Sequence, residues 1–234
     1  MTKFYLSHRD ASKFLRKLPE KSLSLIITDP AYESLEKHRK RGTTTRLKHS
    51  KASSNDWFTI FPNKRFPRFF KECFRVLDTN AHLYMFCDDE TMFVVHPIAC
   101  AAGFKFWKKI VWDYKNIGMG YHYRARHQNI LFFEKGKRRL HDLSISDVLE
   151  VKRIHRGYPT EKPVGVSEVL VSQSSSEGDL VCDPFAGSGS VGVASVKFGR
   201  DFCGNDINIE ALKISRDRML EAGASRVRTF EELR

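Results

Sequence analysis

The sequence predicts an α/β fold, a largely parallel sheet with helices on both faces. Three observations lead there. Strand-like runs alternate with helix-spaced patterns over 234 residues. Two short runs of buried character, 23–27 and 180–182, each end in an Asp-Pro turn. The length suits one α/β domain with a core of its own.

The elements follow in order. A strand at 3–6 precedes a helix at 11–18 and the strand at 23–27, which ends in Asp29-Pro30-Ala31-Tyr32. The stretch 33–56 is crowded with charge and nearly free of apolar residues, so it adds no core face. Phe66, Phe69, Phe70, Phe74 and Leu77 recur at helical spacing, which reads as core rather than a cofactor box. Strand, helix and strand are predicted at 81–87, 91–102 and 104–112. A loop at 115–126 and a strand at 128–134 lead into a basic, weakly patterned stretch, 135–158. The last third reads as a helix at 164–173, the strand at 180–182, a helix to about 198, a strand at 201–204 and a helix at 208–220.

Composition narrows the class. No apolar run approaches the ~20 residues of a membrane span, and residues 1–10 carry no signal-peptide core. A cytosolic protein is the expectation. Five cysteines without a C-x-x-C pair argue for reduced, mostly buried thiols, against zinc or a disulfide framework. The net charge of +12 attracts polyanions, nucleic acid first among them.

Two turns carry chemistry. Phe185-Ala186-Gly187-Ser188-Gly189 leads from a buried strand into a helix, with glycines that allow close ligand approach. Asp206 closes the next strand, where a carboxylate can accept from ribose hydroxyls. The glycine pattern is shorter than the dinucleotide fingerprint, which argues against NAD. The other turn offers an acceptor-only carboxylate at Asp29, a stiff Pro30 and the flat ring of Tyr32, a set suited to a planar ring bearing an amino group. Either turn alone could be a plain connection.

Together the two turns resemble the amino-methyltransferases of DNA, which pair a D-P-P-Y catalytic turn with an F-x-G-x-G cofactor turn. The order, catalytic turn first, resembles the circularly permuted beta group. Residues 158–163, Tyr-Pro-Thr-Glu-Lys-Pro, are similar to that family's H-P-T-x-K-P segment. Ala31 departs from the second proline, and Tyr158 stands where histidine is frequent. The resemblance covers residues 3–220. It implies a Rossmann-like, mixed seven-stranded sheet in a single domain over 1–234, with the two turns as neighbours where strand order reverses. It implies S-adenosylmethionine over Asp183, Phe185, Ala186, Gly187, Ser188 and Gly189, with Asp206 on its ribose. Thr160, Lys162 and Pro163 would border its methionine end. Asp10 would line the adenosine pocket or cap the following helix.

The same resemblance implies site-specific methylation of DNA, of the kind found in restriction-modification, on a base flipped out of the duplex. Asp29 and the Pro30 carbonyl would accept the two amino hydrogens, and Tyr32 would stack on the base. Aspartate in first place is the family's habit for N6 of adenine, with N4 of cytosine as the alternative. Methylation of RNA or a small amine, and a non-catalytic nucleic-acid binder, are the rival readings. Lys37, Arg39, Lys40, Arg41, Arg46 and Lys48 make 33–56 a candidate DNA clamp or a merely solvated loop. Segment 135–158 stands where the family places target recognition. Tyr123, Arg124 and Arg126 suit unstacked bases and phosphates, or else belong to a buried aromatic cluster. The resemblance also implies a homodimer, and no metal.

Overall fold

The structure, a computed structural model, describes residues 1–35, 59–118, 122–154 and 161–233. Nine strands among these form one sheet: β1 (Lys3–His8), β2 (Leu23–Thr28), β3 (Leu77–Cys87), β4 (Lys105–Asp113), β5 (His127–Lys135), β6 (Val148–Glu150), β7 (Leu180–Asp183), β8 (Asp201–Asp206) and β9 (Ser225–Arg226). Their order is β6-β4-β5-β3-β2-β7-β8-β1-β9. Seven strands make the expected mixed sheet, with β5 antiparallel to both β3 and β4. The very short β6 and β9 extend its two edges in parallel and are additions to the expectation.

Six helices flank the sheet among the described residues: α1 (Ala11–Lys17), α2 (Phe66–Val76), α3 (Asp89–Ala101), α4 (Val164–Ser174), α5 (Ser190–Lys197) and α6 (Ile209–Glu221). Local chemistry starts several of them. Asp10, Asp88 and Asn208 each accept a backbone N–H as side-chain caps. Pro67 sits in the first turn of α2, where its missing N–H costs nothing.

The sheet divides the core by strand periodicity. On one face Ile26, Leu83, Met85, Leu131 and Phe133 pack with Phe14 and Leu15 of α1, with Phe66, Phe69 and Phe70 of α2, and with Val95 and Ala99 of α3. The helical aromatics are therefore core, as their spacing predicts. On the other face Leu25, Ile27, Tyr84, Phe86, Ile130 and Val181 meet Val166 and Leu170 of α4, Val191 and Ala194 of α5 and Met219 of α6. The five cysteines are free thiols; four are buried, and Cys100 is exposed.

One feature positions everything else. β2 lies beside β7, with Leu25 opposite Val181 and Ile26 opposite Cys182. From β2 the chain goes on to β3 on one side, and from β7 to β8 on the other. The order of strands reverses here, so a crevice opens at their C-terminal ends.

A polar chain crosses the second core. Tyr84 and His82 both reach the Ser174 hydroxyl at 2.7 Å, and His82 Nε2 lies 3.2 Å from the Arg138 carbonyl. A neutral imidazole satisfies both of its contacts, accepting from Ser174 and donating to the carbonyl. Burial depresses the His82 pKa from 6.5 to about 4, against the raising effect of Glu134. Between those values the unfolded chain takes up a proton that the folded histidine refuses. The contribution of His82 to stability is thus complete above pH 6.5 and falls as pH drops toward 4, by about 3 kcal/mol in all. Urea midpoints at pH 7 and pH 5 should separate wild type from His82→Gln, the variant showing the flatter dependence. Identical pH dependence in the two proteins would refute the assignment.

Candidate active site

Both chemistry-bearing turns open into the crevice. Three residues past the pair Ile26 and Cys182 stand Asp29 and Phe185, so the strand register brings the two turns level.

The first turn is braced from below. The Phe61 N–H donates to the Ala31 carbonyl at 2.7 Å, and Tyr32 and Phe61 form a short parallel bridge. Pro30 is buried, and the Asp29 carboxylate is partly exposed at 26 %. Tyr32 is only 8 % exposed and belongs to the core, with its hydroxyl 3.3 Å from the Gln128 amide nitrogen, which donates to it. Burial first, then the charges of Asp29 and Asp88, raise the Tyr32 pKa far above the ordinary phenol value. The hydroxyl stays protonated at any working pH and is no general base.

The second turn is shaped by its own carboxylates. Asp183 is buried and accepts from the Phe185 N–H at 2.9 Å. Burial pushes its pKa well up, with the Phe185 N–H opposing. Asp183, expected beside the cofactor, holds the turn through that N–H. Asp206 accepts from the N–H groups of Gly187 and Asn208, each at 2.8 Å. Burial raises its pKa too, against those same N–H groups. Each carboxylate oxygen has two acceptor sites, so Asp206 keeps capacity for a ribose hydroxyl. Gly187 has φ +50°, and a Cβ there would meet nothing within 4 Å, so open space lies over the turn at that point. Ala186 and Ser188 are buried in the turn. Half-buried Phe185 packs edge-on to Phe61 at 5.2 Å, which joins the two turns through one aromatic contact. This cradle, with open space above glycine and a carboxylate alongside, fits an adenosyl group.

The neighbouring residues fall partly as expected. Asp10 does cap α1 through the Lys13 N–H at 3.2 Å, and it also pairs with Arg65. Burial acts to raise its pKa, but Arg65 and the N–H groups of Lys13 and Ser12 outweigh that and lower it. Asp10 also lies near Asp206, because β1 and β8 pair His8 with Asp206. Lys162 has its ammonium ion-paired with Asp29. Buried Pro163 starts α4. Thr160 lies outside the described residues, as do Lys37, Arg39, Lys40, Arg41, Arg46 and Lys48.

Tyr123 is fully open to solvent and Arg124 is exposed, which removes Tyr123 from any buried aromatic cluster. Arg126 is engaged, donating to both oxygens of Asp113 at 2.9 and 2.8 Å across the neck of the 114–126 loop. Its visible work is to close that loop.

Sequence reasoning missed several supports. Arg218 of α6 donates to the Ser188 carbonyl at 2.8 Å and pairs with Glu161 at 2.9 Å, tying the cofactor turn to the segment before α4. Gln128, Arg65 and Phe61 were likewise unforeseen. Each contacts a residue far away in sequence, and only their nearness to recognisable turns could have pointed to them. Among the described residues no group of three or more His, Cys, Asp or Glu is placed to hold a metal ion. No helix there is long and apolar enough to cross a membrane.

Comparison with known proteins agrees with this geometry. Type II methyltransferase M.HpaI of Haemophilus parainfluenzae is 27% identical over 90% of this chain and 72% of its own. DNA adenine methyltransferase YhdJ of Escherichia coli K12 is 27% identical over 91% of this chain and 81% of its own. The crystal structure of an M1.HpyAVI complex with SAM superposes with a TM-score of 0.69 at 20% identity, over 92% of this chain and 99% of that one. The cytosine-N4-specific PvuII DNA methyltransferase gives 0.73 at 16% identity, over 100% and 91%. At these identities the two structures establish the fold. A family model described as DNA methylase matches residues 23–217, a span that contains both turns, and the chain therefore belongs to the N6/N4 DNA methylase family.

Proposed function

We propose that this protein transfers a methyl group from S-adenosylmethionine to N6 of adenine in DNA, at a specific site and on a base flipped out of the duplex. The observation that carries the reading is the side-by-side placement of the Asp29-Pro30-Ala31-Tyr32 and Phe185–Gly189 turns on adjoining strands. The cofactor supplies an electrophilic methyl on a sulfonium. Phe185, Gly187 and Asp206 are the residues proposed to hold its adenosyl part, with Asp10 close by.

Asp29 and the Pro30 carbonyl accept the two amino hydrogens, which aims the nitrogen lone pair at the methyl carbon. Holding the reactants in this geometry supplies much of the rate, and the Asp29 charge stabilises the positive charge that develops on nitrogen. Held by Phe185, Gly187 and Asp206, the cofactor would supply the methyl carbon to this nitrogen, and its sulfur would leave with the electron pair of the former bond. The nitrogen then loses one proton to water beside the partly exposed Asp29 carboxylate. The base stacks on Tyr32 once the contacts that now cover that ring have moved aside. The aspartate in first place, rather than serine, favours adenine, and YhdJ is a relative whose name carries that base.

DNA contact is assigned to the basic stretch 33–56, to 135–158 and to the exposed Tyr123 and Arg124. The proposed working form is a cytosolic homodimer, which light scattering at tens of micromolar would report as twice the monomer mass. The decisive test of function is methyl transfer from labelled cofactor to unmethylated duplex DNA, followed by methylation-sensitive sequencing. The expected product is N6-methyladenine at one short motif. N4-methylcytosine would correct the base, and no incorporation into DNA would overturn the reading.

A further inference from the structure

Lys162 stands where the resemblance expects a neighbour of the cofactor's methionine end, yet its ammonium lies on Oδ2 of Asp29. The pair is largely shielded, the two side chains being 15 % and 26 % exposed, so it differs in kind from a loose surface salt bridge. Lys162 is also held from several sides. Its carbonyl accepts from the Ser190 hydroxyl at 2.7 Å, which fixes it to the first turn of α5. The residue before it, Glu161, pairs with Arg218, and the residue after it is the buried Pro163. The ammonium itself sits 5.4 Å over the Phe86 ring. A flexible lysine stem anchored in this way delivers its charge to one place.

We propose that Lys162 is a positioning residue for methyl transfer and acts through Asp29. By occupying Oδ2 it fixes the plane of the carboxylate and leaves Oδ1 turned to the target amino group. It also ties the catalytic turn to the cofactor turn, because the same residue is hydrogen-bonded to the helix that the cofactor turn starts. This inference rests on the methyltransferase reading above.

The test is a double-mutant cycle on the full chain: wild type, Lys162→Met, Asp29→Asn and the combination, with Lys162→Arg as the conservative variant. Single-turnover transfer from labelled S-adenosylmethionine to duplex DNA is measured at saturating cofactor and DNA. Cofactor affinity is measured in parallel by calorimetry with the demethylated product. Removing the partner of a shielded charge should slow Lys162→Met on the order of 100-fold. Its cofactor affinity should stay within about threefold, and Lys162→Arg should recover much of the rate. In the Asp29→Asn background the lysine change should matter less than about threefold, the signature of two residues acting as one unit. A rate loss matched by lost cofactor affinity would return Lys162 to the cofactor site and overturn the proposal, and so would full additivity.

If wild type transfers no methyl to DNA, the functional reading fails by itself. The cycle is then read in melting temperatures, where additive effects would overturn the pairing as well. If Lys162→Met does not fold, Lys162→Gln takes its place in the cycle.

Discussion

Asp29→Ala is expected to lower methyl transfer at least ~100-fold while cofactor affinity stays close to wild type. The charge-assisted hydrogen bond to the target amino group is lost, and several kcal/mol of transition-state stabilisation at 1.36 kcal/mol per decade gives that factor. The cofactor turn is spared because its own carboxylates, Asp183 and Asp206, hold it through the Phe185 and Gly187 N–H groups. The alanine also strands the shielded Lys162 ammonium, so Asp29→Asn is the gentler companion and should lose less. Tyr32 gives a contrast. Removing its ring should forfeit ~1–3 kcal/mol of base stacking. Tyr32→Phe removes only the Gln128 contact, worth about 1 kcal/mol, and should keep much of the activity. Single-turnover assays with parallel calorimetry decide the matter. An Asp29→Ala enzyme within threefold of wild type would end the catalytic assignment.

Gly189→Ala should be the most damaging change in the cofactor turn, and Gly187→Ala far milder. Both glycines adopt positive φ, +82° and +50°, so either alanine carries left-handed strain of about 1–2 kcal/mol. Space separates them. A Cβ on Gly187 meets nothing within 4 Å, whereas one on Gly189 lies 2.4 Å from the Ser215 hydroxyl and 2.9 Å from the Ser215 Cα. The second contact is with the backbone of α6, which cannot rotate away. Turn and helix must therefore separate, and the Arg218 tie to Ser188 goes with them. Cofactor affinity should fall on the order of 100-fold in Gly189→Ala, since overpacking adds ~1–3 kcal/mol to the strain. Thermal melts should show a clear loss of stability. Equal affinities in the two variants would mean that contact with α6 does not shape the turn.

The parts of the fold legible in the sequence are those that local pattern determines. The apolar runs at 23–27 and 180–182 are strands because nothing polar enough interrupts them, and the phenylalanines of α2 lie on one face because 3.6 residues make a turn. The edge strands escaped notice for a physical reason. Val148–Glu150 and Ser225–Arg226 are three and two residues long and mostly exposed, so no periodicity can develop. The start of β3 was also hidden, since Leu77 continues the helical spacing of α2 and Asp78-Thr79-Asn80 is polar, yet Leu77 pairs with Leu23.

At the site, Asp29, Tyr32 and the glycine turn could be found because each motif is contiguous. The grip of Lys162 on Asp29, of Arg218 on Ser188 and of Arg65 on Asp10 joins residues from separate parts of the chain. Tertiary packing alone brings those pairs together, and no spacing rule encodes them.

The pairing of β2 with β7 bears on how the chain folds. Ile26 and Cys182 meet across most of the sequence, through a contact only a few residues wide. Contacts of such long range form late, because the loop-closure entropy must be overcome before they contribute. The strands on either side can assemble from nearer neighbours, β3 with β5 and β4, and β7 with β8. β1 must reach β8 across a still longer stretch of chain, so the sheet is completed through β1–β8 and β2–β7, and the second of these pairings creates the crevice between the turns. A chain in which β2 and β7 have not paired does not hold the two turns side by side, so the site exists only when the whole sheet does.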